Sequence, residues 1–190
     1  LHDGVAEIAA HHPRAWVVDL RDADGDSPWP ALAALSTLLD GPLVGAFVSR
    51  QERREWIVDR GVARFAGGPA LVDLQAPPEP SFRGPVAVLI GPGTRNAGED
   101  VAVAFHGRAR TRFFGAATAG FPNSGVVVHR LSDGTLLGVL ETRDVDRAGV
   151  VQRLPLAPDT VVPAAAAPAP VPAAADDWIA AERAGSGGDR

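Results

Sequence analysis

GPVAVLIGPGTRNAGEDVAVAFHG, residues 84–107, decides the fold. Its opening half is a continuous apolar run bounded by glycines, the pattern of a strand buried on both faces, because a strand with one solvated face would alternate. Gly91 and Gly93 turn the chain. Val101, Ala104 and Phe105 then recur at helical spacing and predict a helix that packs by one face. Strand, glycine turn and immediate helix make an elbow of the kind that can present a nucleophile at the helix start. Asn96 stands at that place. An amide nitrogen is not a nucleophile at neutral pH. Asn is, however, among the best helix N-caps, and Glu99 three residues on predicts a capping-box-like arrangement, the cap contributing about 1 kcal/mol.

Upstream, Val5, Ile8 and Ala9 have helical spacing, and AWVVDL after Pro13 reads as a short buried strand. DLRDADGDSPWP is a polar loop, ALAALSTLLD resumes a helical pattern, and LVGAFVS is a second strand. Residues 51–83 alternate short β-like pieces with Gly and Pro, as an excursion or hairpin does. Downstream, TRFFGAATAG reads as strand and turn, and GVVVHRL and TLLGVLETR flank SDG as a hairpin. The whole predicts an α/β chain with a mostly parallel central sheet flanked by helices, plus a β-hairpin and a C-terminal helix. Its expected organisation is a core over 1–161, a Pro/Ala linker over 162–175, and a short helix and tail over 176–190.

The chain has 190 residues and a formal charge of -5, with 18 cationic residues that are all Arg. No basic footprint points to nucleic acid or to an anionic membrane surface, and no stretch reads as a membrane span. Without Cys or Lys, disulfides, thiolate nucleophiles, Cys-ligated zinc and a lysine base are all excluded. No cofactor is expected. Compartment and oligomeric state stay open. The chain starts without Met and holds none, so further sequence is expected ahead of Leu1.

Two segments, in order and at the right separation, resemble the tail-specific or C-terminal processing serine peptidases. That family has a strand ending D-L-R-x-N-x-G-G, then an apolar strand followed by T-x-S-A-G-E, then a T-x-G turn. Here these read VVDLRDADGDSPW, VAVLIGPGTRNAGEDVAVAF and FFGAATAG. The resemblance runs from about residue 3 to residue 160, including LAPD, and looks closest to the tricorn-core branch. It implies a crotonase-like or Clp-like core whose front part precedes this chain. It also implies that Asn96 occupies the serine nucleophile's position, and that Gly25, Ala97, Thr118 and Gly120 mark the oxyanion and substrate-binding turns. Ala23, Asp24 and Asp26 stand where the family has Asn and glycines, and carboxylates there would oppose an oxyanion. The lysine of one branch's T-x-G-K is Phe121 here. The other branch's histidine lies upstream of these residues; His2, His11, His12, His106 and His129 come too late in the chain.

The resemblance therefore implies an inactive or impaired serine peptidase family member that retains binding of a peptide or protein C-terminal segment. One alternative is a noncanonical hydrolase using Ser124, or a carboxylate such as Asp24 or Asp26. Another is a decayed or truncated domain without independent function. DADGDS also invites calcium, but an EF-hand frame begun at Asp22 puts Ser27 at the turn glycine and Ala33 at the bidentate Glu. A solvated acidic loop fits better.

Overall fold

The computed structural model describes residues 1–75, 81–121, 126–162 and 172–185, leaving aside the side chains of His2, Val126 and Val127. In chain order these form α1 (His2–Ala10), β1 (Trp16–Asp19), α2 (Trp29–Ala34) and, after a 3-10 turn at Ser36–Leu38, β2 (Leu43–Val48). The strands β3 (Arg53–Asp59), β4 (Val62–Phe65), β5 (Ala70–Asp73) and β6 (Val86–Ile90) come next. After α3 (Ala97–Phe105) follow β7 (Thr111–Gly115), β8 (Val126–Arg130), β9 (Leu136–Leu140), β10 (Arg143–Asp146), β11 (Thr160–Val161) and α4 (Ala173–Gly185).

The expected parallel sheet is present, ordered β1-β6-β7-β11, with every pairing parallel. All five residues of β6 are buried, and its two faces meet different neighbours. Val86, Val88 and Ile90 join the main core with Leu32 of α2 and with Val101 and Phe105 of α3. Ala87 and Leu89 pack with Phe114, Ala175 and Trp178, so α4 covers the opposite face. A helix on each face is why the run had to be apolar at every position.

A second sheet, ordered β10-β2-β3-β4-β5, is wholly antiparallel. The excursion read over 51–83 supplies three of its strands. It closes the main core from the far side, contributing Val44, Phe47, Trp56, Val58 and Ala63, so α2 and α3 lie between two sheets. Gly45 is obligatory in β2: a Cβ there would sit 2.6 Å from the Trp56 ring. α2 starts at Trp29 with a proline in its first turn, where a missing N–H costs nothing, and it ends sooner than the pattern ALAALSTLLD suggests. Residues 163–171 of the Pro/Ala stretch lie outside the described residues, and Ala173–Ala175 belong to α4.

The hairpin is also as expected: β8 and β9 pair antiparallel from Val126↔Leu140 to Arg130↔Leu136. Among the described residues these strands pair only with each other, and β9 is exposed at every position. None of the described helices is long and apolar enough to cross a membrane.

Candidate functional site

Thr94, fully buried, fastens the elbow to the end of β1. Its Oγ1 donates to the Leu20 carbonyl at 2.6 Å and accepts from the Gly91 N–H at 3.0 Å. Two backbone bonds then join the 20–25 loop to the elbow: Arg95 N–H to Ala23 O at 3.0 Å and Ala97 N–H to Gly25 O at 3.1 Å. So close an approach excludes side chains from the glycines between, since a Cβ on Gly93 would be 2.5 Å from Arg21 O. On Gly98 it would be 2.3 Å from Ala23 O.

Asn96 has φ 51° and ψ −128°, a strained conformation for a residue with a Cβ, costing about 1–3 kcal/mol. The strain falls at the sharp turn from β6 into α3, the elbow expected from the sequence. The capping box read from the sequence is absent. Asn96 makes no side-chain cap bond, because its backbone lies outside the β-region that lets a cap side chain reach back to the second or third helical N–H. Its Nδ2 donates instead to Asp24 Oδ1 at 2.6 Å. Glu99 turns elsewhere too: its Oε1 accepts from the Thr118 hydroxyl and, at 2.8 Å, from the Gly120 N–H.

Asp24 is the centre of the arrangement. Oδ1 accepts from Asn96 Nδ2 and, at 2.8 Å, from the Gly25 N–H, while Oδ2 accepts from Arg95 Nε at 2.8 Å. The Asn96 bond, then the Gly25 N–H, then Arg95 hold its carboxyl below the ordinary carboxylate range. The two backbone donors expected of an oxyanion turn are thus both engaged: Gly25 N–H by a carboxylate and Ala97 N–H by the Gly25 carbonyl. The same bonds tie the middle carboxylate of DADGDS to the elbow.

Gly25, Asn96 and Ala97 are therefore brought together, and Thr118 and Gly120 close the far side through Glu99. Thr118 Oγ1 also accepts from Leu156 N–H at 2.8 Å, and Ala119 N–H donates to Thr94 O at 3.0 Å. Ser124 lies outside the described residues. The histidines are placed elsewhere: His106 is at the opposite end of α3, about 15 Å along the axis from Asn96 at 1.5 Å per residue. His129 pairs with Glu141 at 2.6 Å on the hairpin, and His11 and His12 follow α1 on the surface.

Three buried acidic residues carry no local signal in the sequence. Glu99, Asp100 and Asp144 are all buried, and a cavity of about 850 Å³ opens beside Asp144 and Gly120. Burial, then the charge of Glu99, push the Asp144 carboxyl up to about 7. Nothing in RDVD marks that aspartate as buried, because a strand aspartate ordinarily faces water. A carboxyl whose folded pKa lies above its unfolded value binds its proton more tightly when folded, so the stability it contributes is present at low pH. That stability is lost as pH rises toward about 7. Asp144→Asn, which keeps the shape and cannot ionise, is expected to melt above the parent at alkaline pH, with the gap narrowing as pH falls toward the unfolded carboxyl range. Melting curves across pH check this; a gap independent of pH would contradict it.

Comparison with known proteins bears on the family and the fold. The family model described as peptidase family S41 matches residues 1–162. The nisin-resistance protein of Lactococcus lactis subsp. lactis is 26% identical over 145 residues, 75% of this chain and 44% of that protein. A lipoprotein structure from Streptococcus agalactiae superposes with TM-score 0.58 at 19% identity, covering 85% of this chain and 55% of that one. The photosystem II D1 C-terminal processing protease gives 0.57 at 22%, covering 85% and 38%. Identities this low establish the fold alone, and the chain spans about half of these proteins or less.

Proposed function

The chain belongs to peptidase family S41, and from that membership we propose that its protease-like domain binds peptide or protein segments and hydrolyses them poorly or not at all. The observation that supports this reading is the Asp24 carboxylate, hydrogen-bonded at once to Asn96 Nδ2 and to the Gly25 N–H. Acyl transfer needs an activated nucleophile and preorganised donors aimed at the developing oxyanion. Asn96 supplies no usable electron pair. Asp24 occupies one donor and adds a negative charge where another would form; a lost oxyanion donor alone raises the barrier by about 3–4 kcal/mol. Asp24 is the titratable group bonded to the Asn96 side chain, and its depressed pKa makes it a poor proton acceptor.

Binding has fewer requirements than hydrolysis. A family likeness that includes a C-terminal processing protease supports a polypeptide ligand, and an exposed strand edge beside a cavity can hold one by strand addition. The expected result of titrating the chain with a permanently unfolded, carboxymethylated protein in a calorimeter is saturable heat, with the titrant's mass unchanged afterwards. Absence of binding, or recovery of fragments, would contradict the proposal.

A further inference from the structure

The cavity beside Gly120 has a defined chemistry. Leu140, Val151 and Leu154 give it apolar walls, and Arg143 and Arg153 line it with positive charge. In a chain of net charge -5, these two exposed guanidiniums outnumber the one carboxyl of the lining, that of the buried Asp144. Among the described residues neither forms an ion pair, so both guanidiniums are available to an incoming carboxylate. The apolar walls are exposed as well: Leu140 is 50% and Val151 46% accessible. β9, whose other edge has no partner among the described strands, ends at Leu140 and so leads into the cavity.

We propose that this cavity binds an extended peptide segment in which an acidic side chain lies next to large apolar ones. The peptide would add as a strand to the free edge of β9. Its carboxylate side chain would sit between Arg143 and Arg153, and its neighbours would cover Leu140, Val151 and Leu154. Paired guanidiniums recognise carboxylates through charge-assisted, often bidentate bonds. A chain-terminal carboxylate is captured instead by a nest of backbone N–H groups, so an internal acidic residue is the better match. This inference rests on the peptide-binding reading above and adds the class of sequence bound.

The test uses the 190-residue chain and two dye-labelled, C-terminally amidated peptides of alternating Val and Leu, one with central Asp residues and the other with Lys in their place. Fluorescence anisotropy is expected to show the Asp peptide bound about tenfold or more tighter, the equivalent of one charge-assisted hydrogen bond. Both exposed arginines can be removed without opening the core, and the double variant Arg143→Ala/Arg153→Ala is expected to melt like the parent and lose the preference. Equal affinities in the parent, or a preference that survives in the double variant, would overturn the assignment. So would failure of both peptides while the unfolded protein still binds. If the unfolded protein does not bind either, the peptide-binding reading itself fails.

Discussion

Arg108→Ala is expected to destabilise the fold by about 3–5 kcal/mol, lowering the urea midpoint by about 2 M. Arg108 is only 5% exposed, yet every nitrogen of its guanidinium has work. Nε donates to the Leu38 carbonyl, and Nη1 to Ala109 O at 2.7 Å, Thr111 Oγ1 at 3.1 Å and Gly84 O at 3.2 Å. Nη2 donates to Phe82 O at 2.7 Å and shares Gly84 O. One planar fork thereby joins the 3-10 turn before β2, the segment entering β6 and the segment entering β7. Burial pushes its pKa down to about 10, which leaves it charged at neutral pH. Alanine would abandon the buried Leu38 carbonyl and the part-buried bonds to Phe82, Gly84 and Ala109 at once, and a buried acceptor left without a partner costs about 1–3 kcal/mol. Lysine, with three donors on one atom, cannot span the same set. An unchanged urea midpoint for Arg108→Ala would show that water or relaxation satisfies those carbonyls.

The second large effect is expected from Gly98→Ala, at about 2–4 kcal/mol of stability. On a free helix this change would be favourable by up to about 1 kcal/mol, so the sign itself is diagnostic. The new methyl would lie 2.3 Å from Ala23 O and 3.1 Å from Ala23 Cβ. Backbone cannot swing aside as a side chain can, so the loop carrying Asp24 must retreat from α3. Gly98→Ala is therefore expected to loosen the bonds from Asp24 to Asn96 and Arg95 together with the fold. Melting temperature reports the first effect, and amide exchange at Gly25 the second. A Gly98→Ala chain as stable as the parent would mean that the two segments are not packed at this distance.

The parts of the fold that were legible are those with local signals. β6 and α3 could be read because five apolar residues, two glycines and a helical apolar period lie within one short stretch. The β8–β9 hairpin was legible for the same reason, its turn residues lying between its strands. The antiparallel sheet was not, because its order depends on β10 pairing with β2 from far along the chain, and no local pattern records that choice. β3 to β5 are also partly exposed, which blurs the apolar alternation.

The site divides in the same way. Asn96 at the elbow could be placed from the glycines around it. What its side chain does could not, because its partner is 72 residues away and reaches it only when the 20–25 loop is zipped to the turn. An Asn followed three residues later by Glu reads as a capping box from local spacing alone. The positive φ of Asn96 and the pull of Thr118 and Gly120 on Glu99 defeat that reading. Asp144 was invisible for the converse reason: its burial is imposed by α3 and β10 packing, while its own sequence neighbourhood looks like a solvated strand.

The proposed loss of hydrolysis is tested most directly by incubating the purified chain, and in parallel its Asn96→Ala variant, with an unfolded protein and identifying every new terminus by mass spectrometry. The expected result is the same trace background in both samples. Sustained cleavage by the parent that disappears in Asn96→Ala would contradict it.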